Sequence, residues 1–588
     1  MSYTAPVKDI LFSLQHEAGF DRLIEQGQFD GLDHDLLGSI LDEAGKFATQ
    51  VIAPVNWTGD QEKSHLTENG VTVPAAFRDA YQQLVENGWP TLAASQAYGG
   101  QGLPLSLANA VFEMLNSNIA FTLCQMLTSG AVEALEAHAS EEQKASYLPK
   151  IISGEWSATM NLTEPQAGSD VGAVKTKAAP QEDGSYKITG TKIYITYGDH
   201  DMSENIIHLV LARTPGAPEG TKGISLFLVP KRLLDAEGQP AAMNDLKCIG
   251  LEDKLGIHAS PTCVMAFGEN GGATGWLIGA ENAGMAAMFT MMNNARLNVG
   301  LQGVGLAEQA TQHAMAYAEE RKQGRSPSAP RGDNTAVSIN QHPDVRRMLL
   351  TMRALTDAAR AICYENGVFY DIAHSENDSQ AKAFSDLLTP VSKAFSTDIA
   401  NEVASLGVQV HGGMGFVEET GAAQFMRDAR ILPIYEGTNG IQAIDLIGRK
   451  LPLDNGGVVT AYFDHIRSTI NACTGDADAK IQAIGENLAD GLADLDAATQ
   501  FMLQSQANQI DRLAGATPYL KLFGLVAGGH YLARGVLAAR DEAAYFRRKL
   551  TIAAFYAEQL LPQTKGLASV VKAGGDTLTD DDIFSLSA

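Results

Sequence analysis

Glu436 stands in Tyr435-Glu436-Gly437-Thr438, directly after the apolar run Ile431-Leu432-Pro433-Ile434. An arbitrary glutamate is ordinarily a solvated surface residue. This one has neighbours that can take water from its carboxylate, and desolvation disfavours the charged form and makes a stronger base. Gly437 leaves space for a substrate to approach the backbone. The N–H of Glu436 can then bind an oxygen on which negative charge develops, so one residue offers a general base and half an oxyanion site. Thr163-Glu164-Pro165-Gln166-Ala167-Gly168-Ser169-Asp170 is a loop of small and turn-forming residues. Such a loop brings backbone and hydroxyl groups close to a flat ligand; its plainer reading is an exposed turn. Lys192-Ile193-Tyr194-Ile195-Thr196 adds an aromatic ring and a hydroxyl, or is an ordinary strand. Gln409-Val410-His411-Gly412-Gly413-Met414-Gly415-Phe416 has glycines that let backbone N–H groups reach phosphate oxygens. Alone that pattern is weak, and His411 reads as a structural histidine.

Four segments position these residues. Residues 1–157 read as helical: Leu36, Leu37, Ile40, Leu41 and Ala44 keep helical spacing, as do Phe77, Tyr81, Leu84 and Val85. Ser140 and Gln143 form a capping-box pattern. Gly99 to Pro104 is a loop that approaches a ligand or simply joins two helices. Residues 158–280 read as a β domain, with a hairpin signal at Asp183-Gly184 and strands over Tyr186 to Tyr197, Ile206 to Ala212 and Ile224 to Val229. The helical period returns over 281–455, where one helix opens at His342-Pro343-Asp344, with proline in the first turn and an acid at the positive end of the helix dipole. After a boundary at Leu453 to Gly457, residues 456–588 are again helical. Gly574-Gly575-Asp576 and Asp580-Asp581-Asp582 predict a mobile tail.

The chain has 588 residues, 45% of them apolar and 19% charged, as in an ordinary globular protein. Its net charge of −26 excludes nucleic acid and anionic membranes as partners unless a local basic patch overrides the field. Anionic ligands therefore need local sites built from backbone N–H groups and a few Arg or Lys. The five cysteines are scattered, with no CxxC pair, which points to a reducing compartment and away from structural zinc. No signal peptide is visible, and no uninterrupted apolar run approaches the ~20 residues of a membrane span. A cytoplasmic enzyme with no metal is expected. The run Arg547-Arg548-Lys549 reads as a solvated helix face, the alternative being contact with a membrane or an acidic partner. Met285, Met288, Met291 and Met292 read as core packing, with an acyl pocket as the alternative.

Taken in order, the three chemical segments resemble the acyl-CoA dehydrogenase family of flavoproteins, over residues from about 35 to 450. The resemblance implies an α+β multidomain fold: an N-terminal helical domain, a central β-barrel-like domain, a four-helix bundle and, here, an extra C-terminal helical domain. It implies FAD-dependent α,β-dehydrogenation of a short-chain acyl-CoA thioester, with Glu436 removing the α-proton and the β-hydrogen leaving as hydride to the flavin. Some branches carry the base just before an arginine on an earlier helix; here that stretch is Asn293-Asn294-Ala295-Arg296, with no carboxylate. By the same resemblance FAD is bound by Met160, Leu162, Thr163, Ser169, Tyr194, Thr196 and Thr438. Arg321, Gln409 and Gly413 reach the FAD of a neighbouring subunit, although Gln323-Gly324-Arg325 departs from the usual pattern after Arg321. Ser169, Asn293, Arg296 and Gly437 line the substrate path, with an internal ion pair as the alternative for Arg296. An electron-transfer flavoprotein is the implied acceptor and a homodimer the implied assembly. The rival readings are an oxidase using oxygen and a non-catalytic flavin-containing binding protein.

Overall fold

Residues 205–212 and 225–230 are mainly apolar runs, interrupted by Asn205, His208 and Ser225, with every position buried, which marks strands covered on both faces rather than one. In the computed structural model, which describes residues 3–504 and 508–580, they lie at the heart of one of two units. That unit is built from Lys46–Pro104 and Leu115–Asn298; the other comprises Met1–Gly45, Leu105–Met114 and Val299–Ala588.

The sheet of the first unit has eight strands: β1 (Trp156–Asn161), β2 (Lys177–Pro180), β3 (Tyr186–Thr196), β4 (Asn205–Ala212), β5 (Ser225–Pro230), β6 (Leu246–Leu251), β7 (Thr262–Phe267) and β8 (Ala273–Ile278). Their order is β6-β7-β3-β8-β5-β4-β1, with β2 also on β3. Every pair is antiparallel except β1 with β4. The long β3 is shared: Tyr186 and Ile188 pair with β8, while Gly190 to Thr196 pair with β7. The turn before β3 is the one expected at Asp183-Gly184, where Gly184 takes a positive φ of 81° and Asp183 accepts the Ser185 N–H. The core includes Ile188, Ile195, Val210, Phe227, Met265 and Phe267. The helix Glu141–Ser153 begins with the capping box of Ser140 and Gln143. One stretch expected to be helical is instead a short hairpin, His65–Thr67 with Gly70–Thr72. Its turn needs Gly70 at a φ of 110°, which breaks any helix there.

Beside β1, burial holds two histidines neutral. His200 and His208 are both pushed down to about 3, first by desolvation. His208 Nδ1 meets Thr159 Oγ1 at 2.7 Å, and His200 Nε2 meets Ser157 Oγ at 2.9 Å. A histidine whose folded pKa is depressed stabilises the fold above its unfolded value of about 6.5 and progressively less as pH falls toward 3. The melting temperature should therefore drop on acidification from pH 6.5 to 4.5, each histidine contributing about 1.4 kcal/mol per pH unit. His208→Gln should flatten that slope in a thermal-shift series, and an unchanged slope would remove the histidines from the account.

In the second unit Pro343 sits at the first position of the helix Pro343–Ser375, as its missing N–H favours. This helix runs beside Ser379–His411. Arg360 bridges Glu113 at 2.7 Å, Glu308 at 2.8 Å and Asp357 at 3.0 Å, and Arg353 adds a bond to Glu308 at 2.6 Å, all of them buried. The five helices after residue 456 pack on one another, and the chain start joins them. Asp9 accepts Arg548 at 2.7 Å and the Tyr545 hydroxyl at 2.8 Å, and Glu17 accepts Lys549 at 2.7 Å. The basic run is thus not a uniformly solvated face: Lys549 is buried against Glu17, while Arg548 is exposed but paired with Asp9 and Arg547 is exposed. One helix, Gln509–Asp541, is long and apolar enough to cross a membrane, but 83% of its apolar window is buried in the bundle, as befits a core helix. All five cysteines are buried free thiols. Of the expected mobile tail, Gly575 donates its N–H to Asp511 at 2.8 Å; Asp581 and Asp582 lie outside the described residues.

Candidate active site

The loop after β1 is fastened by a buried ion pair. Lys192, on β3, donates to Glu164 Oε1 at 2.8 Å and to the Leu162 carbonyl at 3.0 Å. Glu164 also accepts the N–H groups of Lys175 and Thr176, at 2.7 and 3.0 Å, and the Thr176 hydroxyl at 2.6 Å. Burial opposes the charge on Glu164, but Lys192 and these donors outweigh it and hold the carboxyl near 2. On the lysine side burial outweighs the pairing and draws the ammonium down to about 8, so it stays mostly protonated at neutral pH. The Ile193 N–H donates to the Thr163 carbonyl at 3.0 Å, so loop and strand are stitched at two adjacent residues.

That fastening sets a group of predicted residues side by side. Met160 is the next-to-last residue of β1, Leu162 and Thr163 follow the strand, and Tyr194 and Thr196 lie on β3. Tyr194 takes a left-handed φ of 59°, rare for an aromatic residue, and its side chain is 60% exposed. Thr163 and Thr196 are half-buried, and neither hydroxyl has a hydrogen-bond partner among the described residues. An exposed ring beside two unpartnered hydroxyls is a donor and stacking set that fits an isoalloxazine. Ser169 is exposed at the loop end. Just beyond it lies a cavity of about 820 Å³, lined by Lys175, Lys177 and the 213–220 turn. Arg213 holds that turn through four carbonyls, those of Gly172, Val174, Pro218 and Gly220, at 2.6 to 2.8 Å. Asn293 and Arg296 belong to the helix Gly284–Glu320, the first exposed and the second buried. On the same helix Met288 and Met291 are fully buried, Met291 against Gly130, which matches core packing.

Glu436 lies in the other unit and is half-buried. Its φ is 53° and that of Gly437 is 83°. Two successive left-handed residues reverse the chain between the 431–434 turn and the helix Asn439–Asp445, which Thr438 caps at the Ile441 N–H. The bend is over-determined, as a strained backbone must be. Lys393 donates to the Leu432 carbonyl and to Asn439 Oδ1, each at 2.9 Å. Asn439 in turn donates to the Ala394 carbonyl at 3.1 Å and to Asp398 at 2.8 Å. The Tyr435 hydroxyl donates to Gln302 at 2.5 Å. Burial and then the Glu436 charge raise that phenol's pKa, so it remains a neutral donor. A Cβ on Gly437 would meet Gln442 Nε2 at 2.8 Å. Gly437→Ala should therefore lower kcat about tenfold through misplacement of the carboxylate, with FAD content unchanged; wild-type kcat in that variant would refute the need for the bend.

Arg321 is exposed ahead of the hairpin Lys322–Arg325 with Ala336–Ser338, with a contact of 3.5 Å to Gln323. Gln409 and Gly413 flank the C-terminal end of Ser379–His411, where Gly412 has a φ of 61°. His411 Nδ1 bonds the Gly407 carbonyl and its ring stacks on Tyr317, the structural role expected of it. Glu365, His465 and His530 place ligand atoms within 4.8 Å of one another. Arg534 donates to that glutamate at 2.7 Å, so a guanidinium already serves as its cation.

Sequence reading passed over the Glu164–Lys192 pair, although a signal existed. Lys192 shares the parity of buried Ile188 on β3, so period two alone sends its ammonium inward, where it needs a carboxylate. Gln302 and Lys393 gave no local signal.

A 3-methylmercaptopropionyl-CoA dehydrogenase of Ruegeria pomeroyi is 45% identical over 98% of this chain and 99% of its own. The chain belongs to the acyl-CoA dehydrogenase family. Family models cover it in sequence: acyl-CoA dehydrogenase N-terminal domain over 38–155, middle domain over 159–269 and C-terminal domain over 282–451, then an acetyl-CoA dehydrogenase C-terminal-like region over 462–582. A butyryl-CoA dehydrogenase of Syntrophomonas wolfei is 33% identical over 98% of each chain. An acyl-CoA dehydrogenase of Bacillus anthracis complexed with FAD shares the fold, with a TM-score of 0.75 at 20% identity over 95% of this chain and 91% of that one. The expected fold, with its helical, β and further helical segments, is the family's. The protein is an FAD-dependent oxidoreductase acting on the CH–CH group of acyl-CoA.

Proposed function

We propose that this acyl-CoA dehydrogenase oxidises short-chain acyl-CoA thioesters, 3-methylmercaptopropionyl-CoA foremost, with Glu436 as the base. The observation that carries the reading is the left-handed bend at Glu436: a half-buried carboxylate is held beside a glycine by a buried lysine–asparagine network. Glu436 takes the α-proton, and its N–H stabilises the thioester oxygen as enolate charge grows. FAD supplies the hydride acceptor for the β-hydrogen. Met160, Leu162, Thr163, Tyr194 and Thr196 form the face against which the ring rests, with the two hydroxyls as donors; Thr438 assists. Ser169 with Lys175 and Lys177 receives the anionic end of coenzyme A, and Asn293, Arg296 and Gly437 line the path of its arm.

The preference for a thioether rests on the Ruegeria pomeroyi likeness. A thioether sulfur roughly replaces a methylene, which discriminates by only ~1–3 kcal/mol, so butyryl-CoA should compete. We further propose a homodimer in which Arg321, Gln409 and Gly413 meet the partner's FAD. Phe416 at 88% exposure, with Met414 and Val417 exposed beside it, supports a face meant to be covered. The acceptor is read as an electron-transfer flavoprotein; oxygen uptake with peroxide release would point to an oxidase instead. The test is anaerobic flavin bleaching across an acyl-CoA panel. 3-Methylmercaptopropionyl-CoA and butyryl-CoA should reduce the flavin within a factor of ~10–200 of each other. No bleaching by either thioester would overturn the assignment.

A further inference from the structure

The Arg547 end of the basic run belongs to none of the segments above. It lines a groove of about 630 Å³ between the first turns of Pro343–Ser375, the start of Ala479–Gln504 and the helix Ala543–Gln559. Four cations ring it: Arg346, Arg347, Lys480 and Arg547, against one acid in the lining, Glu558. Arg347 is paired with Asp344 at 2.8 Å. Arg346, Lys480 and Arg547 have no acidic partner among the described residues, in a chain of net charge −26 where acids outnumber bases. Three unpaired cations converging on one groove repel one another unless an anion joins them. Between them the floor is apolar, with Leu350, Leu550 and the half-buried ring of Phe555.

We propose that this groove binds a nucleoside di- or triphosphate moiety, its phosphates among the four cations and its base against Phe555. The cation count calls for several negative charges rather than one, and guanidinium forks match phosphate oxygens. The aromatic and aliphatic floor calls for a flat apolar body attached to them. The volume is that of a small-molecule site. The same chemistry has two sources, a free nucleotide such as ADP or ATP and the nucleotide end of coenzyme A, the second of which would replace the placement of that end at Ser169, Lys175 and Lys177.

The test uses the FAD-loaded full-length protein and calorimetric titration with ADP, ATP, AMP, pyrophosphate and coenzyme A at two salt concentrations. ADP and ATP should bind saturably, at least tenfold tighter than AMP or pyrophosphate, and several-fold more weakly at 200 mM than at 50 mM salt. Arg346→Glu with Arg547→Glu should weaken ADP at least tenfold with melting temperature and FAD content unchanged; if that pair unfolds, Phe555→Leu should weaken ADP but leave pyrophosphate unaltered. ADP binding that persists under saturating coenzyme A assigns the groove to a free nucleotide. Competition between the two, with a raised KM for acyl-CoA in the charge-reversed protein, assigns it to the coenzyme. Absence of saturable ADP binding, equal affinity for pyrophosphate, binding that survives charge reversal, or an acidic peptide binding where ADP does not, would each overturn the proposal.

Discussion

Glu436→Gln should bind FAD as the parent does and lose ~10²–10⁴-fold in the rate of anaerobic flavin reduction by an acyl-CoA. The amide has the carboxylate's size and can occupy the same left-handed backbone position, so the bend held by Lys393 and Asn439 should persist. What is removed is the lone pair that takes the α-proton. Because that proton is lost only in the chemical step, kcat and kcat/KM should fall together while KM changes little. Glu436→Asp, which keeps the acid but shortens the reach, should recover part of the rate. Stopped-flow bleaching of Glu436→Gln at the parental rate would remove Glu436 as the base.

Lys192→Met should strongly destabilise the fold. It leaves Glu164 buried without its cation, and breaking a buried pair from one side costs about 3–5 kcal/mol. The loop from Thr163 to Ser169 would lose its tie to β3, so FAD content after purification should fall as well. Glu164→Gln also leaves Lys192 without its anion, but the amide oxygen still accepts from it and a lysine already drawn down to about 8 can shed its proton, so the penalty should be smaller. The double variant Lys192→Met/Glu164→Leu should be more stable than Lys192→Met alone, a non-additivity that denaturant titration can read. Glu164 also sets an acid limit. Its depressed carboxyl contributes stability above its unfolded pKa of about 4.3, and this is lost as pH falls toward 2. Glu164→Gln lacks this titration, so its FAD content should vary less than the parent's as pH falls from about 4.3 toward 2. Parental stability and FAD content in Lys192→Met would show that the pair does not hold the loop.

Most of the architecture was legible because it follows from short-range rules. Pro343 announced a helix start, Ser140 and Gln143 a cap, and the Ile and Thr alternation after Asp183-Gly184 a strand. The hairpin at His65 to Thr72 was hidden because its strands are three residues long, too short for a period to show. In the candidate site, Glu436, Gly437, Thr163 and Tyr194 were visible by residue type and neighbours. What fastens them was not: Lys393 meets Leu432 across 39 residues and Tyr435 meets Gln302 across 133, and no local pattern encodes contacts at such separations. Lys549 illustrates the same limit, since its charge reads as solvated until Glu17, 532 residues earlier, is brought against it.

The pairing of Asp9 and Glu17 with Arg548, Tyr545 and Lys549 spans between 532 and 539 residues of chain. During synthesis the two acids leave the ribosome first and wait for partners that emerge roughly half a minute to two minutes later, at about 5–20 residues per second. The opening helix therefore reaches its final packing only once Tyr545, Arg548 and Lys549 have been made.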